Sequence, residues 1–143
     1  MLAALGFTED HPVLHSSQFQ VNETWIAFKL NDAPIETGAD GDFNLIALMD
    51  AASCFILSSG LVPSGQAGPS NIEVKRLLKQ ASAHKKKLPK TLYIPVELAA
   101  ANLEAEAEKQ KISVVSIAED QLLVFIGEAR DGFKERLGGG SVQ

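Results

Sequence analysis

The heptapeptide Pro63-Ser-Gly-Gln-Ala-Gly-Pro69 is the feature that most constrains how this chain can fold. Two prolines and two glycines so close together interrupt any helix or central strand. The break divides the chain into halves of different grammar. Before it stand three segments rich in β-branched, aromatic and alternating apolar residues, at 24–30, 43–49 and 54–61. The stretch 31–42 holds Pro34, Gly38 and the Asp40-Gly41 pair and reads as a loop, and Asp50-Ala-Ala-Ser53 reads as a turn. Short connections between successive strands predict an antiparallel meander.

After the break, helix and strand patterns alternate. Ser70-Asn-Ile-Glu73 has the form of a capping box, in which a serine hydroxyl and a glutamate carboxylate satisfy free N–H groups reciprocally. The helix it opens carries Val74, Leu77, Leu78 and Ala81 on one face, runs into the lysines at 85–87 and stops at Pro89. A fourth strand is expected at 91–96, a helix at 98–110, a fifth strand at 112–117 and a helix at 119–137. The last helix has its apolar stripe at Leu122, Ile126, Ala129, Phe133 and Leu137. Residues 1–21 read as an N-terminal extension whose Leu2, Leu5 and Phe7 could pack on the body, residues 22–137 as the domain, and residues 138–143 as a flexible tail. The order β-β-β-α-β-α-β-α predicts an α/β fold with a mixed five-stranded sheet. The last two strands are reached through helical crossovers and so pair in parallel.

Composition narrows the function classes. A single cysteine, Cys54, forbids an internal disulfide and fits a reducing cytoplasm. It falls in an apolar segment, where a buried, inert thiol is expected. The N-terminus lacks the basic residue of a secretory leader, and no run is long enough to span a bilayer. The chain has no phosphate-loop glycine motif, zinc-ligand spacing or nucleophile elbow. Net charge is −5, unevenly placed. Residues 1–74 hold nine acids and one base, whereas residues 75–90 hold seven bases and no acid. Those seven, Lys75, Arg76, Lys79, Lys85, Lys86, Lys87 and Lys90, are the candidates for contact with nucleic acid. No aromatic residue is interleaved among them, so base stacking is not implied, and pairing with acids of the same or a second chain is the alternative.

The element order over residues 22–137 resembles the ribonuclease-H-like fold of retroviral integrase and transposase cores. Trp25 stands where those cores often carry a tryptophan shortly before their first catalytic aspartate, and Asp50-Ala-Ala-Ser53 matches an Asp-x-x-Ser turn at the end of their second strand. The resemblance implies phosphodiester chemistry by two Mg²⁺ ions on three carboxylates, which suit a hard cation. It also suggests an origin in a mobile element. The candidates for such a site are Asp32, Glu97 and Glu128, with Glu119 and Asp120 also on the last helix. The position three residues after Trp25, where the pattern wants aspartate, holds Phe28. The pattern therefore leans away from catalysis, toward a binding or assembly module with a protein partner or a second copy of itself, and with no cofactor. A Mg²⁺-dependent nuclease or strand-transfer enzyme and a small nucleic-acid-binding domain are the alternatives.

Overall fold

The computed structural model describes residues 14–31, 34–36 and 41–142, with side chains to Glu135. The elements are β1 (Thr24–Lys29), β2 (Ile35–Glu36), β3 (Asp42–Asp50), β4 (Ile56–Pro63), α1 (Asn71–Ala83), β5 (Thr91–Pro95), α2 (Ala101–Lys109), β6 (Ser113–Ile117) and α3 (Glu119–Val142). A 3₁₀ turn at Ser16–Gln18 precedes them. The antiparallel meander forms as the connections dictate: β1 pairs β3 from Trp25↔Asp50 to Lys29↔Ile46, and β3 pairs β4. Both helical crossovers give parallel pairs, β1 with β5 and β5 with β6.

Several boundaries differ from expectation. Among the described residues the sheet has six strands, because Ile35–Glu36, inside the expected loop, pairs with Phe43 and Asp42. The strand expected from Cys54 begins at Ile56, since Cys54 takes φ 59° and its N–H donates to the Asp50 carbonyl at 2.8 Å. That is turn geometry, which a strand cannot contain. Helix α1 ends at Ala83, so Lys85, Lys86 and Lys87 lie in a turn beyond it, with Lys86 at φ 53°. Helix α2 starts at Ala101 rather than 98, because Leu98 donates to the Pro95 carbonyl and forms a turn first. Helix α3 runs to Val142, through most of the segment expected to be a flexible tail. Each added helical residue gains a hydrogen bond, so propagation carries it through Gly138–Gly140 despite a cost of about 1 kcal/mol per glycine.

The core lies on both faces of the sheet. Trp25, Ala27, Ile46, Leu48, Leu92 and Ile94 pack beneath α1 and α2. Ile26, Phe28, Leu30, Ala47 and Met49 pack beneath Leu122, Phe125 and Ile126 of α3. Alternate residues of one strand thus serve opposite layers. Part of the expected extension belongs to this second layer: Phe19 meets Tyr93 and Phe125 edge-on, each with ring centroids 5.9 Å apart. Leu2, Leu5 and Phe7 lie outside the described residues. Among the described residues, no helix is long and apolar enough to cross a membrane.

Candidate functional site

The carboxyl ends of β1 and β5 open onto a cleft of about 340 Å³ lined by Lys29, Asn44, Gly68, Glu97 and Glu119, among others. This is where an open α/β sheet ordinarily carries its ligand. Gly68 closes one wall. Its φ is +86°, and a Cβ there would collide with the Ala99 carbonyl, so only glycine lets the 63–69 loop approach so closely.

Glu97 stands two residues past β5, exposed at the cleft. Its Oε1 accepts from the backbone N–H of Glu119 at 3.0 Å. It therefore caps α3, a helix 22 residues further along, rather than the helix it precedes. The charge sits well there, since a helix N-terminus presents unsatisfied donors and a partial positive charge. Glu119 in turn accepts both terminal nitrogens of Arg130, each at 3.1 Å, while the Arg130 Nε donates to the Lys29 carbonyl at 2.9 Å. Eleven residues correspond to about three helical turns, which puts Glu119 and Arg130 on one side of α3. The guanidinium, with its side chain only 13 % exposed, bridges the end of β1 to the start of α3.

The remaining described candidates do not join this cluster. Phe28 is fully buried in the α3 layer, so the position that would offer the first carboxylate offers a hydrocarbon ring. Asp32 lies outside the described residues. Glu128 is nine residues from Glu119, about half a turn out of phase on the helix. It lines a different cavity of about 540 Å³ together with Cys54, Phe125 and Phe133. There it helps to raise the Cys54 thiol pKa, which burial raises most, with the Asp50 charge adding to the effect. A thiol so shifted is a poor nucleophile. Asp120 is exposed on the first turn of α3. No group of three or more His, Cys, Asp or Glu side chains among the described residues could hold a metal ion. Among the described residues the cleft offers no free pair of carboxylates for two Mg²⁺ ions: Glu97 caps a helix, Glu119 is matched by arginine, and position 28 is phenylalanine.

Against solved structures, the chain matches the HTLV-2 integrase catalytic core domain in its magnesium-bound dimeric form. The TM-score is 0.54 at 12 % identity, covering 85 % of this chain and 72 % of that one. The catalytic core of BIV integrase matches with the same TM-score and identity, over 82 % and 70 % of the two chains. The fold is that of a retroviral integrase core. No family model and no curated protein matches the sequence. At 12 % identity the likeness concerns the ribonuclease-H-like architecture alone, and the site must be read from this chain's own residues.

Arg130 was missed by sequence reasoning. A lone arginine on a helix carries no motif, and the i, i+11 spacing is not one that local rules examine. The seven basic candidates are all exposed, with Lys75, Arg76 and Lys79 on α1 and Lys85, Lys86, Lys87 and Lys90 in the turn beyond it. None of them forms an ion pair among the described residues, where the bridge between Arg130 and Glu119 is present.

Proposed function

We propose that this chain is a non-catalytic module of ribonuclease-H-like fold that serves binding or assembly. The observation that carries the reading is Arg130 forked onto Glu119 and anchored on the Lys29 carbonyl, beside a buried Phe28. An arginine fork supplies positive charge and directed donors to carboxylates. At this cleft it matches the Glu119 charge, which would otherwise help to recruit a cation. Self-association belongs to the proposal, because among the described residues β4 and β6 end the sheet on either side and each leaves one edge without a strand partner. Light scattering that gives a monomer mass at every concentration would remove that part.

Thermal unfolding with and without ~10 mM Mn²⁺, on the wild type and on Glu97→Gln, tests the central claim. An ion bound at ~100 times its dissociation constant would add about 2.7 kcal/mol and raise the midpoint visibly. The expected result is no rise in either protein. A rise in the wild type that disappears in Glu97→Gln would overturn the proposal and make a nuclease assay the next step.

A further inference from the structure

At the end of the sheet opposite Glu97, a pocket of about 350 Å³ opens beside the basic segment. The volume falls within the roughly 300–1,000 Å³ of ordinary ligand sites. Val21, Phe55 and Leu57 supply its apolar lining, and Asn22, Asp50, Ser53, His84 and Lys85 complete it. Val21 is 56 % and Phe55 55 % exposed, an arrangement the fold does not require.

The pocket is built, not frayed. Leu57 has no partner between Met49↔Ile56 and Leu48↔Ser58, so it is the extra residue of a β-bulge. Its carbonyl accepts from the His84 ring Nε2–H at 2.9 Å. The His84 ring meets Phe55 edge-on, with centroids 5.4 Å apart. Asn22 donates its Nδ2–H to the Lys87 carbonyl at 3.1 Å, and Lys90 N–H donates to the Glu23 carbonyl at 2.9 Å. The lysine turn is thus tied to the pocket wall while its ammonium groups face solvent. The one acid at the pocket, Asp50, is 2 % exposed. Its oxygens accept from Asn22 N–H, Ser53 N–H and the Ser53 hydroxyl.

We propose that this pocket docks a short acidic segment of a partner protein. One aliphatic or aromatic side chain of that segment would sit against Val21, Phe55 and Leu57, and flanking carboxylates would face Lys85, Lys86 and Lys87. The proposal rests on the reading of the chain as a binding module and names its partner's chemistry. Charge selects a short ligand over a long one. Outside residues 75–90 the chain carries eighteen acids against six bases, so an extended polyanion would run from the patch onto like charge. A single exposed aromatic also suits one anchor side chain better than a stack of bases.

The test is selection of a display library of short random peptides on the full chain, in EDTA. Enriched peptides are expected to carry an apolar residue flanked by acids. A labelled enriched peptide is expected to bind Phe55→Ser at least ~10-fold more weakly than wild type and to keep its affinity for Phe55→Trp. The triple variant Lys85→Gln, Lys86→Gln, Lys87→Gln is expected to bind more weakly and with a shallower salt dependence, while its thermal midpoint stays that of the wild type. No enrichment above the Phe55→Ser background, enriched peptides without acids, or tighter binding of a labelled oligothymidylate would each overturn the proposal. A Mn²⁺-dependent stabilisation would sink the module reading alone, because EDTA keeps metal out of this assay.

Discussion

At the scale of single residues, the decisive fact is how Phe28 is enclosed. Its ring has no solvent contact and lies under α3 with Phe125 and Ile126 in the same cluster. Installing the carboxylate that the integrase pattern lacks would bury a charge among hydrocarbon and remove a large apolar side chain. Phe28→Asp is therefore expected to cost more than the ~3–5 kcal/mol of a Phe→Ala change. Urea denaturation would read this as loss of the folded baseline, and a well-folded variant that gains Mn²⁺ stabilisation would refute it. Phe28 was legible as an anomaly because Trp25 gave a fixed point from which to count. Glu97 was legible as a candidate carboxylate, but not as the cap of α3, since only the fold brings position 97 to position 119. Asp50 looked like a turn residue in sequence; it ends β3, and its side chain holds the turn that follows. Its partnership with Asn22, 28 residues earlier in the chain, could not be read there.

Among the elements, the loop that divides the chain and the helix after it yield two predictions. Gly68 has a positive φ and faces the Ala99 carbonyl, so Gly68→Ala forces both an unfavourable backbone conformation and a backbone collision. It is expected to lower stability by more than ~1 kcal/mol, measured as a shift in the urea midpoint at constant slope. The capping box was readable because its signature is local: Ser70 Oγ accepts from Glu73 N–H at 3.2 Å, and Glu73 Oε1 accepts from Ser70 N–H at 2.7 Å. The Ser70 N–H, donating to the carboxylate, is the main cause that holds the Glu73 pKa below the usual glutamate range. A depressed carboxyl pKa stabilises the fold above the unfolded value, near pH ~4.3, and that contribution fades as pH falls through the folded value. Glu73→Gln is therefore expected to flatten the decline in thermal midpoint below pH ~4.3, whereas an unchanged slope would assign the acid sensitivity to other carboxylates. The short β2 escaped notice because Ile35–Glu36 is too brief to show a period and is bordered by turn residues.

For the molecule as a whole, the physics of a doubly covered sheet decides how the layers depend on one another. The period-two face Ile26, Phe28, Leu30 was visible in the sequence, but Trp25 and Ala27 are buried as completely on the other side. A single strand cannot reveal two-sided burial unless the helices that cover each face are known. Because β1 supplies side chains to both layers, neither layer can open without exposing the other's support, and one cooperative transition is expected. Trp25, the only tryptophan, reports on the α1 and α2 layer, while Phe125 belongs to the α3 layer. Phe125→Ala removes a ring that is 1 % exposed and touches Phe19, and is expected to cost ~3–5 kcal/mol, a large share of the ~5–15 kcal/mol typical of a domain. In urea, the midpoint seen by Trp25 fluorescence should fall together with that seen by far-ultraviolet circular dichroism, although the altered residue lies across the sheet. A Trp25 midpoint that stays at the wild-type value while the helical signal falls early would show that α3 detaches as a separate unit. The bridge from Arg130 to the Lys29 carbonyl and to Glu119 would then be a local tie and not part of a single cooperative structure.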